Sequence, residues 1–242
     1  MTASGEGAVG SALYDRFADS WWDDRAPHFR SLRAVKKFHL ELLERRLGKD
    51  LGTLTIVDLG CGGGLLSVPL AELGANVIAV DTSFASLQAC TRATAARAAR
   101  PRMICGDALA TPLGAGTADL VIVADLVEHV CDPALLLGEA ARLLRSGGTV
   151  FVTTINRTRR ARFLAVTFAE NVGLVPKGTH DARLFVRPAE LEAYARRAGL
   201  RVSEWIGAVP RVLATLVARA IALRPSSSMA VAYCGFFTKG EA

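Results

Sequence analysis

Two short stretches constrain the fold of this chain most: Ile56-Val57-Asp58-Leu59-Gly60-Cys61-Gly62-Gly63-Gly64, and Val77-Ile78-Ala79-Val80-Asp81. The apolar runs read as buried strands, and the glycines after the first supply a tight turn into a helix. Asp81 then falls at the carboxyl end of the second strand. A βαβ unit of this kind places a nucleotide-like ligand across the carboxyl edge of a parallel sheet. Glycines admit the ligand close to the backbone, and the acidic residue accepts hydrogen bonds from the ribose hydroxyls.

The glycine spacing narrows the ligand. A dinucleotide fingerprint needs its third glycine where Leu65 stands; here the glycines are Gly60, Gly62, Gly63 and Gly64. An acidic residue inside the first strand, Asp58, followed by Leu-Gly-Cys-Gly-Gly-Gly, resembles the class I S-adenosylmethionine-dependent methyltransferases. Their ligand carries a sulfonium and an amino-acid tail in place of a pyrophosphate, so the loop has no strong anion to cradle. The plain alternative is a strand-to-helix turn that binds nothing.

With 242 residues, 51% hydrophobic and 21% charged, the chain fits one globular domain with a full core. Disorder is expected at the start, over residues 1–13, leaving 14–242 as the domain. Five cysteines (Cys61, Cys90, Cys105, Cys131 and Cys234) lie scattered without CxxC spacing, which argues for a reducing compartment and against a disulfide frame or zinc site. Neither a signal segment nor a membrane-spanning run is evident, so the expected location is the cytoplasm. The net charge of +6 is compatible with an anionic partner, but no aromatic-plus-basic motif for nucleic acid stands out, and none is expected to bind.

From Leu54 onward, Val/Ile-rich runs alternate with helical patterns. The strands are expected near Thr55–Asp58, Asn76–Val80, Pro101–Cys105, Ala118–Val123, Gly148–Thr153, Arg201–Ile206 and Ala230–Thr238. Helices are expected at Leu65–Leu73, Ser86–Arg100, Pro133–Leu144 and Pro188–Ala198, with Gly147-Gly148 as the turn before the fifth strand. The fold class is therefore α/β, a doubly wound, mainly parallel, seven-stranded sheet. Two segments lie outside this alternation: an N-terminal helical cover containing the amphipathic stretch Leu32–Leu47, and an insert after the fifth strand, Asn156–Arg187. Long extra segments at the carboxyl edge of such a sheet usually cover the site.

Trp21-Trp22-Asp23, Asp58 to Gly64, Asp81, Glu128-His129-Val130, Asn156-Arg157 and Val175-Pro-Lys-Gly-Thr-His-Asp181 together resemble the 3-demethylubiquinol 3-O-methyltransferase family, from about Tyr14 to Lys239. The resemblance implies a Rossmann-like methyltransferase fold and S-adenosylmethionine contacts at Gly60, Cys61, Gly62, Asp81, Thr82, Ala108 and Ala124, with Asp107 meeting the adenine amino group. A family arginine that helps hold the cofactor falls on Ala34, flanked by Arg33, Lys36 and Lys37; Lys37 is taken as the basic contact in its place. The family's glutamate three residues before Glu-His is Asp125 here.

The resemblance further implies methylation of a hydroxyl on a prenylated phenol or quinol of ubiquinone synthesis. A phenol has a pKa of about 10 in water, so its proton must be removed or polarised. His129 could act as general base, with Glu128 and His180 (and Asp181 beside it) near the acceptor; or a magnesium-type ion held by Asp125, Glu128 and His129 could stabilise the phenolate. Alternatively Glu128-His129 caps a helix, Asp107 caps a turn, and Trp21 and Trp22 either line the acceptor pocket or anchor the cover. Other functional readings are a methyltransferase of secondary metabolism acting on another phenol, a sugar or an amine, a non-catalytic lipid- or RNA-binding module, and an NAD-dependent oxidoreductase. Arg157, Arg159, Arg160 and Arg162, leading into Phe163–Phe168 and Val172–Leu174, suggest a peripheral place on the anionic inner face of a membrane.

Overall fold

The computed structural model describes residues 11–27 and 29–240, with side chains from residue 14 onward apart from residue 28. The apolar runs become strands β1 (Thr55–Leu59), β2 (Asn76–Asp81), β3 (Arg102–Cys105), β4 (Ala118–Ala124), β5 (Leu144–Ile155), β6 (Leu200–Pro210), β7 (Leu223–Ser226) and β8 (Ala232–Lys239). They lie in one sheet in the order β3-β2-β1-β4-β5-β8-β6-β7. Neighbours from β3 through β5 pair in parallel, and β8 runs antiparallel between β5 and β6. The chain winds outward from β1 to β3, then returns to lay β4 on the other side of β1. That reversal opens a crevice beyond the carboxyl ends of β1 and β4, where such sheets bind ligands.

The helices are α1 (Ser11–Arg16), α2 (Arg30–Leu47), α3 (Ser67–Glu72), α4 (Phe84–Thr94), α5 (Pro133–Leu143), α6 (Arg159–Arg162), α7 (Ala169–Asn171), α8 (Pro188–Arg197) and α9 (Val212–Ala218). A π-helical stretch, Phe163–Phe168, joins α6 to α7. Helix α4 starts earlier than expected because the Ser83 side chain accepts from Ser86 N and caps it. Pro133 opens α5 behind Asp132, whose carboxylate accepts from Ala134 N and Leu135 N.

Alternation along the strands builds two cores. Val57, Leu59, Val121 and Val123 pack on one face with Leu136 and Leu137 of α5. Ile56, Leu120 and Ile122 pack on the other with Leu42 and Leu43 of α2. This is the period of two expected of a strand buried on both faces, each Leu or Ile contributing about 1.5–3 kcal/mol.

Two expectations need correction, and a third falls mostly outside the described residues. The sheet has eight strands, not seven, because the edge strand β7 pairs with the end of β6 after the helix α9. The Gly147-Gly148 pair lies inside β5, where Gly147 has φ +74° and the register with β4 shifts, so it marks a bulge rather than a turn. Of the start read as disordered, residues 1–10 lie outside the described residues, whereas Ser11 already opens α1. Among the described residues no helix is long and apolar enough to cross a membrane.

Candidate active site

Beyond the ends of β1 and β2 lies a cavity of ≈ 130 Å³, lined by Gly60, Cys61, Gly62, Asp81 and Thr82 together with Asp107, Ala108 and Ala124. Asp81 sits where β2 ends. Its Oδ2 accepts from Gly62 N at 2.7 Å and its Oδ1 from Ser83 N at 2.8 Å, so the carboxylate fixes the glycine turn. Burial raises its pKa while these two bonds oppose the rise. Each oxygen keeps lone-pair capacity for a further donor, as a ribose diol requires. Asp107 accepts from Leu109 N at 2.9 Å. It therefore caps a turn and lines the cavity at once.

The cover closes this cavity. The Trp21 ring stacks on Phe29 with centroids 4.0 Å apart, and Trp21 Nε1 donates to Ser86 Oγ. A Cβ on Gly63 would lie 2.2 Å from the Trp21 ring, so bare backbone is required here by the tryptophan. Trp22 Nε1 donates to the Gly63 carbonyl at 2.8 Å. Both tryptophans thus anchor the cover on the glycine loop, and neither lines the acceptor side. Lys37, expected at the cofactor, is exposed on α2; Lys36 lines the cavity instead.

A second, mainly apolar cavity of ≈ 190 Å³ adjoins the first. The segment 156–187 supplies Leu164, Phe168 and Leu174 to its wall, and α9 supplies Val212 and Leu216. Polar side chains, Glu128, His129, Thr154 and His180 among them, interrupt the apolar lining. Glu128 Oε2 accepts from Thr154 Oγ1 at 2.6 Å; burial, reinforced by Asp125, pushes the Glu128 pKa well up. His180 faces His129 with ring centroids 6.3 Å apart, and burial, then His129, lowers its pKa to about 4. His180 Nδ1 is buried without a hydrogen-bond partner, 3.8 Å from Glu170 Oε1. Asp181 is paired with Arg183 and does not line the cavity. Sequence reasoning missed His39, which also lines it. Burial brings the His39 pKa down to about 4, and its Nδ1 lies 3.8 Å from Asp125 Oδ2.

The two cavities share Tyr14, Leu32, Asp125 and His129. Asp125 follows β4 with φ +55°, a left-handed conformation that aspartate tolerates better than most residues. Its backbone N–H donates to the Thr153 carbonyl at 3.0 Å, and its Oδ1 accepts from Thr153 Oγ1 at 2.8 Å. Oδ2 pairs with Lys36 Nζ at 2.9 Å. Burial alone would raise the Asp125 pKa, but Lys36 and His39 overrule it and hold the carboxyl well below the usual range.

The magnesium-type reading of Asp125, Glu128 and His129 does not fit this donor set. An ammonium already stands on Asp125, burial and Asp125 favour the neutral form of Glu128, and among the described residues no three His, Cys, Asp or Glu side chains group to hold a metal ion. The residues around Asp81 do fit a nucleoside with a sulfonium tail: a carboxylate with lone pairs open to a diol, a glycine turn without a phosphate cradle, and the Lys36 ammonium in the same lining.

Residues 57–152 match the family model described as a methyltransferase domain. A relative from Pseudomonas aeruginosa, strain UCBPP-PA14, named ubiquinone biosynthesis O-methyltransferase, is 38% identical over 199 residues, covering 81% of this chain and 84% of its own length. The chain belongs to the ubiquinone biosynthesis O-methyltransferase family. A second member, from Methylobacterium nodulans, is 36% identical over 82% of this chain and 84% of its own length. The magnesium protoporphyrin IX methyltransferase of Synechocystis PCC 6803, solved with bound SAH, shares the fold with a TM-score of 0.66 at 19% identity, covering 96% of each chain. Like the family, this chain is an S-adenosylmethionine-dependent O-methyltransferase.

Proposed function

We propose that this O-methyltransferase acts on a hydroxyl of a prenylated phenol or quinol in ubiquinone biosynthesis, and that it collects that acceptor from a membrane surface. The observation that carries the reading is the junction of the two cavities. A nucleoside-shaped site and a mainly apolar one meet at Tyr14, Asp125 and His129. An aromatic ring bearing a hydrocarbon tail suits the second cavity far better than a sugar or a polar amine does, since it leaves few buried polar groups without partners.

Bound S-adenosylmethionine supplies a methyl group activated by a sulfonium. The chain's own residues do the rest: Asp81 and Asp107 hold the nucleoside, Lys36 meets the anionic end of the amino-acid tail, and the apolar walls exclude water. His129, on the short turn after β4, takes the acceptor proton. Glu128 and His180 position the ring around it.

Exposed apolar side chains on the two segments that wall the apolar cavity support the membrane reading. Phe163 and Val172 are more than half exposed, and on α9 so are Leu213 and Val217, at 77% and 79%. Arg159, Arg160 and Arg162 of α6 directly precede Phe163. Apolar side chains beside cations lie naturally in an anionic headgroup layer.

A methylation assay over demethylated quinols, simple catechols and amino sugars tests the acceptor. Quinols and catechols are expected to react, with His129→Ala lowering turnover by roughly 10²–10⁴-fold at nearly unchanged cofactor affinity. Methylation of the amino sugars alone would overturn the reading.

A further inference from the structure

The three polar side chains at the junction differ in what else holds them. Asp125 is engaged by Lys36 and Thr153. His129 carries the proton-accepting role proposed above. Tyr14 remains, and no sequence motif singles it out.

Its ring is clamped. Tyr14 lies parallel to Trp21 and Phe29, with centroids 5.9 Å and 6.1 Å away, and meets His129 edge-on at 6.3 Å. The neighbouring Asp15 accepts from Ser83 Oγ at 2.5 Å, fastening α1 to the loop after β2. The ring is thus fixed on one side by the cofactor loop and faces the proposed base on the other. The phenol also stays protonated: burial, then Glu128, Asp125 and Asp81, holds its pKa well above the ordinary tyrosine value. Tyr14 lines both the donor and the acceptor cavity, and a neutral phenol hydroxyl there can donate a hydrogen bond to an oxygen that is gaining negative charge.

We propose that Tyr14 is a catalytic hydrogen-bond donor to the acceptor oxygen, aligning that oxygen with the donor methyl group and stabilising its developing charge. The inference rests on the phenol-acceptor reading. In the step, the acceptor O–H bond breaks and its proton passes to His129. An oxygen lone pair forms the new C–O bond as the C–S bond breaks, and that bonding pair returns to sulfur, leaving a neutral thioether. Tyr14 keeps its own proton throughout.

Tyr14→Phe retains the stacked ring and removes only the hydroxyl, whereas Tyr14→Ala removes both; unchanged thermal midpoints would show that the fold survives. Two readouts are taken. The first is kcat on a catechol acceptor. The second is the apparent pKa of 4-nitrocatechol bound in the presence of S-adenosylhomocysteine, read from its absorbance. For Tyr14→Phe, kcat is expected to fall roughly 10²-fold, as on loss of one preorganised donor, with KM for S-adenosylmethionine unchanged. The pKa of the bound probe is expected to rise by about one unit, because its phenolate has lost a partner. Tyr14→Phe with wild-type kcat and an unshifted probe, and damage only in Tyr14→Ala, would overturn the proposal and leave a packing ring. Failure of both 4-nitrocatechol and a prenylated catechol to bind the unmodified enzyme would instead overturn the phenol-acceptor reading, and the role of Tyr14 with it.

Discussion

Lys36 of α2 donates to Asp125 Oδ2 at 2.9 Å and to the Ala124 carbonyl at 2.7 Å, tying the helical cover to the end of β4 at the junction of both cavities. The side chains are 12% and 25% exposed, so the pair is only partly screened. Replacing Lys36 by Met leaves the carboxylate of Asp125 without its counter-charge. The expected cost is about 3 kcal/mol of stability in urea unfolding, the low end for breaking a buried pair, with much of it recovered in Lys36→Met/Asp125→Asn. A loss that is equally large in the double variant would mean that the packing of Lys36, and not its charge, matters.

Asp81 holds the glycine turn and lines the cavity proposed for the nucleoside. Asp81→Ala is expected to weaken S-adenosylmethionine binding by about 1.5–3 kcal/mol, the range for hydrogen bonds to a charged group, as read by calorimetry. Because Gly62 N and Ser83 N also lose their acceptor, Asp81→Asn serves as a control that keeps one oxygen on the turn. Unchanged affinity in both folded variants would contradict the assignment.

Glu128 should make stability depend on pH. Its folded pKa is raised by burial and by Asp125 above the ordinary value of 4.5. The unfolded chain therefore releases this proton first as pH rises. The contribution is fully present below pH 4.5 and is lost as pH climbs toward the raised folded pKa. Glu128→Gln, which retains an acceptor for Thr154, is expected to be more stable than the unmodified protein at pH 8 and to lose that advantage by pH 4.5. A pH-independent difference in thermal midpoint would contradict this.

The exposed apolar face of α9 offers a test of the membrane reading that leaves the core alone. Leu213→Asp/Val217→Asp is expected to abolish sedimentation with anionic vesicles while the thermal midpoint stays within about 1 °C, since surface changes away from special features usually cost little. Undiminished sedimentation would remove α9 from the membrane contact.

The grouping of the candidate donor residues was legible because its signals are local. A strand, a glycine turn and a terminal carboxylate follow each other in the chain, and Gly60, Gly62 and Asp81 meet as their spacing implies. What failed depended on phase or on distant contacts. Lys36 shares its helical face with Leu32 and His39, whereas Lys37 is turned about 100° away; the 3.6-residue period held that distinction. His39 carried no motif, and only folding brings it to Asp125. Helix α9 was hidden in the apolar stretch Trp205–Leu223, whose Pro210 ends β6; its Val212 and Leu216 reach the cavity wall while Leu213 and Val217 stay exposed, and β7 begins only at Leu223, the last residue of that stretch. Metal ligation at Asp125 looked plausible in sequence because Lys36 lies 89 residues away.

The central claim is that the apolar cavity selects an acceptor with a hydrocarbon tail. The most direct test is kcat/KM for methyl transfer to one catechol headgroup carrying no prenyl unit, one unit, or two, in detergent that equalises solubility. The account expects kcat/KM to rise with the first units, by up to about tenfold for each 1.4 kcal/mol of apolar burial, chiefly through KM. A headgroup methylated equally well with and without its tail, or best without it, would contradict the account.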